Sequence, residues 1–202
     1  LTHIRHSGKV LVMRIFIAVL VLIFSLQSWT KADDIRDFEI EGISLGDSAL
    51  KFFSENEIKK NIKDWYQDKT YTYSAIVKNN FELYDKIGFF YKTNDDNYKI
   101  VSLSAYLWCK ESITDCLNNQ KKVKEDFSII FKDLSQKDNV FNYPPSSDAG
   151  TKSKAIQTIF FFDNGDQVVI ETKDWSKDSK YTDNFSINLD TKDFVMWLTD
   201  NS

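Results

Sequence analysis

The stretch Tyr98-Lys-Ile-Val-Ser-Leu-Ser-Ala-Tyr-Leu-Trp108 and the run Cys109-Lys-Glu-Ser-Ile-Thr-Asp-Cys116 that follows it decide the fold class. In residues 98–108 the side chains alternate, with Tyr98, Ile100 and Ser102 set against Lys99, Val101 and Leu103, which predicts a strand. From Ser112 the period changes. Ser112 and Asp115 form a capping pair, and Ile113, Cys116, Leu117, Val123, Phe127, Ile130, Phe131 and Leu134 recur every three or four residues. A long amphipathic helix follows. Cys109 and Cys116 are the only cysteines, and a lone pair in an oxidising compartment forms a disulfide. Redox chemistry favours a C-x2-C pair, so the C-x6-C spacing points to a structural bond. Cys116 lies on the apolar helix face, and its bond to Cys109 would pin the helix start to the strand end.

Working outward, Thr70 to Val77, Phe81 to Tyr91 and residues 98–108 read as an antiparallel meander. Its turns are Asn79-Asn80 and Asn94-Asp95-Asp96-Asn97. Asp37 to Ile43 predicts a short strand upstream. Ser44 with Asp47, and Ser54 with Glu57, then predict two short helices. Leu45, Ala49, Leu50 and Phe53 line the first, and Ile58, Ile62 and Trp65 the second. Residues 135–154, with Pro144-Pro145, Ser146-Ser147 and Gly150, read as a loop of about 20 residues, long by the usual standard. Ala155 to Phe162 and Gln167 to Trp175 flank Asp163-Asn164-Gly165-Asp166, a strong hairpin signal. Phe185 to Leu189 makes a last strand, and Asp190 caps a terminal helix reaching Leu198. The predicted order is β-αα-βββ followed by α-βββ-α. This is an α+β class, antiparallel sheet with helices on one face, in one domain, 33–202, of two related halves (33–110 and 111–202).

Ahead of that domain, Met13-Arg14 and the apolar run Ile15 to Phe24 precede Thr30-Lys-Ala32, the pattern of a secretory signal cleaved between Ala32 and Asp33. The run is too short to span a bilayer. Segment 13–32 is therefore expected to be a signal peptide, and 1–12 an over-extended start. Its removal would leave 170 residues and take Arg5, Lys9, Arg14 and Lys31 with no acid, so that 22 cations face 30 acids at a net charge of −8. His3 and His6 leave with it. The expected product, periplasmic or secreted, has no histidine for a Ser-His-Asp site or a histidine-ligated metal. Arg36 is its one arginine, which suits neither nucleic acid nor an anionic membrane surface. No catalytic, cofactor-binding or metal residue is assigned.

Each remaining candidate has a plainer explanation. Asn94 to Asn97, and Asp163 with Asp166, offer oxygen ligands, but Asn and Asp are ordinary turn residues. Glu82 with Asp85, or Glu171 with Asp174, could serve a glycoside hydrolase only at the right carboxyl separation. The runs Phe89-Phe90-Tyr91 and Phe160-Phe161-Phe162 send rings to both faces of a sheet. The second face is then either a partner surface or the contact between the two β units, and the internal contact is the expectation.

The segment Glu41-Gly-Ile-Ser-Leu-Gly-Asp-Ser-Ala-Leu50, with Asn94-Asp-Asp-Asn-Tyr-Lys-Ile100 and Asp174-Trp175, resembles an uncharacterised family of small exported proteins of marine bacteria. That likeness covers nearly the whole of 33–202 and implies no activity. Gly42-Ile43-Ser44 and Asp47 also resemble the helix entry of the SmpA/OmlA assembly lipoproteins and of the β-lactamase-inhibitor-like fold. The chain departs from these in lacking a lipid-accepting cysteine and in running on through a second α-βββ unit. The functional expectation is a non-enzymatic binding or scaffolding module of the envelope, with an envelope protein as partner. An enzyme inhibitor using the 135–154 loop is the alternative, and a carboxylate-based hydrolase the second alternative.

Overall fold

The computed structural model describes residues 34–78, 81–146 and 148–201. The expected signal segment, the expected cleavage site at Ala32 and Asp33, and the expected turn residues Asn79 and Asn80 lie outside the described residues. A two-residue hairpin opens the fold, β1 (Glu39–Ile40) with β2 (Ile43–Ser44). Then α1 (Glu55–Lys60) leads into β3 (Ile62–Lys63), β4 (Tyr71–Val77), β5 (Lys86–Lys92) and β6 (Ile100–Trp108). The same order repeats with α2 (Ile113–Ile130), β7 (Ser135–Asn142), β8 (Lys154–Phe161), β9 (Gln167–Asp174) and β10 (Asn184–Asp190), and α3 (Lys192–Asp200) closes the chain. The fold is α+β, with one eight-stranded sheet in the order β3-β4-β5-β6-β10-β9-β8-β7. Every pairing in it is antiparallel.

The two α-ββββ units are thus joined edge to edge through β6 and β10, not stacked face to face. Both sheet faces are therefore left to other elements, and the expected internal contact of the aromatic runs does not form. One face carries Ile76, Ile87, Phe89, Leu103, Ala105, Ile187, Ile170 and Phe160 into the main core. There α2 buries Cys116, Val123 and Phe127. Segment 34–54 covers the other half of this face with Ile35, Phe38, Ile40, Leu45 and Phe53, and the Phe38 and Phe131 rings meet at 5.0 Å.

The helices do not share one face. α3 lies on the opposite one, where Phe194 meets Phe90 at 4.5 Å and Trp197 meets Tyr71 at 5.2 Å. The reason is a bulge in β6. Tyr91 pairs with Ile100 and Phe90 with Ser102, leaving Val101 unmatched. The expected alternation changes phase there: Ile100 and Leu103 both enter the core, and Ser102 turns to the opposite face. Bulges re-aim side chains and free a backbone group in this way. The freed Val101 carbonyl accepts the Thr191 N–H at 3.1 Å and its hydroxyl at 2.9 Å, which sets the start of α3. Thr191, not Asp190, is its N-cap, and Asp190 is the last residue of β10.

Other departures have equally local causes. Gly42 and Gly46 adopt positive φ, +75° and +87°, a conformation that glycine accepts without cost. Gly46 N–H donates to the Ile100 carbonyl at 2.8 Å, so the segment after Ser44 is held against β6 and forms only a 3-10 turn, Ala49–Lys51, capped by Ser48. The Ser54–Glu57 capping box forms as expected. The helix stops at Lys60 because Ile62–Lys63 pair with Tyr73 and Ser74 as an edge strand. Glu41 accepts the backbone N–H groups of Glu82, Leu83 and Tyr84, which keeps β5 from starting before Lys86. Residues 135–142, expected in a long loop, form β7, in register with β8 from end to end. Its polar sequence fits an outer strand exposed along its length.

The capping pair Ser112–Asp115 and the Asn164-Gly165 hairpin are where the sequence places them. The Cys109–Cys116 bond spans Cα atoms 5.6 Å apart and ties β6 to α2. Replacing both cysteines by serine is expected to lower unfolding free energy by about 2–3 kcal/mol in urea titrations, the chain-entropy value for so short a loop.

Candidate functional site

On the face shared with α3 the strands alternate polar and apolar residues, and in the middle of the sheet the polar set points outward. β6 supplies Ser102, Ser104 and Tyr106, and β10 supplies Ser186, Asn188 and Asp190. β9 adds Gln167, Glu171 and Lys173, and β8 adds Gln157. The ladders bring these into rows: Tyr106 stands opposite Ser186 and Ser186 opposite Glu171, while Ser102 stands opposite Asp190 and Asp190 opposite Gln167. α3 and the 64–70 segment cover only the β4–β5 side. A cleft of about 500 Å³ remains, floored by this polar strip.

Its walls are aromatic. On one side Trp65 stacks on Tyr73 at 4.7 Å, and Tyr66 packs against Phe90 and Trp197. On the other, Phe141 and Tyr143 meet at 4.9 Å, and Tyr143 rests on Trp175 at 4.7 Å. Trp65 is 54% and Phe141 44% exposed, so each wall offers a free ring surface. Gly88 lets the floor close: a Cβ there would collide with the Tyr73 hydroxyl and ring. Across that gap the hydroxyls of Tyr73 and Tyr106 bond at 3.2 Å.

Two carboxyl groups in this floor have unlike surroundings. Burial pushes the Glu171 carboxyl up, but the Lys173 ammonium beside it at 2.8 Å outweighs that and holds it below the usual carboxylate range. Gln157 Nε2 donates to it at 3.0 Å, Ser186 Oγ at 3.2 Å and Asn188 Nδ2 at 3.4 Å. For Lys173, burial works against the charge, and Glu171 with the tyrosines around it more than restores it. Burial pushes Asp190 up to about 6, only partly offset by Ser102 Oγ at 2.7 Å and Gln167 Nε2 at 3.4 Å. At the Tyr106 end, Lys86 lies 3.7 Å above the Tyr106 ring, and burial, with Lys173 and Lys63 nearby, lowers it to about 8.

The residues singled out from the sequence are mostly elsewhere. Glu171 lines the cleft, but Asp174 points to the other face and pairs with Lys154 at 3.4 Å. Asp85 is taken up by the Trp108 N–H and Lys110. Asp95 accepts the Asn97 and Lys99 N–H groups within its turn. Asp166 accepts the Lys192 N–H at 2.8 Å, which steadies α3. No group of three or more metal-ligating side chains occurs among the described residues. Nor is any helix among them long and apolar enough to cross a membrane.

Sequence reasoning missed Asp190, Lys173, Ser102 and Asn188. The signal for Asn188 and Asp190 was the strict polar period of two in Asn184-Phe-Ser-Ile-Asn-Leu-Asp190, which looks like a solvated strand face. Comparison with protein families, with curated proteins and with solved structures finds no match to the chain.

Asp190 sets a pH dependence. Its folded value lies above the ordinary 3.8, so between about pH 4 and 6 the folded state keeps a proton that the unfolded state has lost. Stability therefore falls across that window as pH rises, by on the order of 2–3 kcal/mol. Asp190→Asn is expected to remove this slope and to raise stability near neutral pH, measured by urea unfolding across the window. An unchanged difference between the two ends would contradict it.

Proposed function

We propose that the protein is an exported, non-enzymatic binding module whose ligand occupies the cleft between α3 and β7. The observation that carries this is the pairing of a polar floor with two partly exposed aromatic walls. Ligand sites combine apolar walls with a few placed polar groups in this manner. Export is supported by the apolar run after Met13-Arg14 and by the Cys109–Cys116 bond, which suits an oxidising compartment. The periplasm or the extracellular space is the proposed location.

A hydrolase built on Glu171 and Asp190 would draw on their unlike proton affinities. Against it, Glu171 is committed to the Lys173 ammonium and to three neutral donors, the surroundings of a structural ion pair rather than of a base. An envelope protein partner is the second reading. It is favoured by β7, exposed along eight residues and open to strand addition. An inhibitory role for 135–154 would now rest partly on this strand, since Ser135–Asn142 are paired rather than in a loop.

A thermal-shift screen of metabolite classes tests the cleft directly. At least one class is expected to raise the melting temperature by several degrees, as a ligand bound only to the folded state must. Trp65→Ala combined with Phe141→Ala should abolish that shift and barely move the ligand-free midpoint, because both rings are half exposed. Shifts that persist in the double variant would contradict the proposal.

A further inference from the structure

Of the two carboxylates on the cleft floor, one has no cation in contact with it. Glu171 has Lys173, but Asp190, only 5% exposed, receives a hydroxyl and an amide and no Lys or Arg among the described residues. A buried carboxylate with neutral partners is costly, and a cation is what would relieve it. The floor beside it has room for one. Ser102 and then Phe90 follow Asp190 across the sheet. Phe90 is therefore two strand spacings away, about 10 Å, with only the short Ser102 and Ser104 side chains between. Beyond that gap the wall is aromatic: Phe194 is 4.5 Å and Tyr66 6.2 Å from Phe90, and Trp65 stands exposed at the rim.

A carboxylate facing aromatic rings is the combination that holds an alkylated ammonium, through charge on one side and ring quadrupoles on the other. A divalent metal ion prefers clustered carboxylates, and no group of three or more metal-ligating side chains occurs among the described residues. The lysines leave this end open to a cation. Lys173 attracts Asp190 only at longer range, since its ammonium is bound to Glu171 at 2.8 Å, and Lys86 lies over the Tyr106 ring.

We propose that the Asp190 end of the cleft binds an organic ammonium ion, with its nitrogen on the Asp190 carboxylate and its alkyl groups against Phe90, Phe194, Tyr66 and Trp65. This rests on the cleft being a ligand site. Calorimetric titration of the purified protein with choline as probe, beside its uncharged isostere dimethylbutanol, tests the charge. Glucose and acetate, run in parallel, test the cleft.

Choline is expected to bind saturably, and dimethylbutanol at least about tenfold more weakly, since only the cation answers the carboxylate. Asp190→Asn should weaken choline by a similar factor and leave dimethylbutanol unchanged, while its melting curve reports that it folds. Equal binding of the two probes, or choline binding indifferent to Asp190→Asn, would overturn the inference. Failure of choline also overturns it. If glucose or acetate then binds and loses affinity in Trp65→Ala, the cleft reading survives without the ammonium.

Discussion

The in-register pairing of β6 with β10 is the constraint on which the rest of this structure depends. It joins two α-ββββ units into one sheet, with seven residue pairs from Asn184–Trp108 to Asp190–Ser102. Had the units met face to face, the aromatic runs would have sealed each other and no open face would remain. Joined by their edges, they leave both faces of the sheet to be covered. Segment 34–54 and α2 cover most of one face. The short α3 covers only half of the other.

The seam also decides what that open half contains. Along β10 every second residue is polar, and because β6 and β9 are in register with it, their serines, tyrosine, carboxylate and lysine fall beside those residues. A central strand exposed on neither edge must satisfy such groups internally. Glu171 does so with three neutral donors and a counterion; Asp190 has two neutral donors. The contrast between two carboxyls on one floor follows from which neighbour each register position supplies. The Val101 bulge completes the arrangement by turning Ser102 toward the cleft and fixing the start of α3 with its carbonyl.

Much of the fold was legible in local sequence. The Ser112–Asp115 cap, the Ser54–Glu57 box, the Asn164-Gly165 turn and the C-x6-C bond are short-range signals, and each appears in the structure. What was not legible depends on contacts distant in sequence. β7 looks like a loop because an outer strand needs only its main chain to pair. The segment after Ser44 looks helical until its backbone is seen bonded to Ile100. The cleft was hidden for a similar reason. Asn188 and Asp190 have the pattern of a solvated face, and only the docking of α3 and the 64–70 segment makes that face a recess. Glu171 was visible as a carboxylate, but its partner in the cleft is Lys173, two residues on and on the same face, not Asp174.

We propose that the half-covered sheet face, rather than the α2 face or the β7 edge, is where this protein meets its ligand. Amide and indole chemical shifts in two-dimensional NMR, followed as a bound compound is titrated, test it most directly. The largest changes are expected on Ser104, Glu171, Asn188 and the Trp65 indole. Changes concentrated on Gln120 and Phe127 beneath α2, or on Asn139 to Phe141 alone, would contradict it.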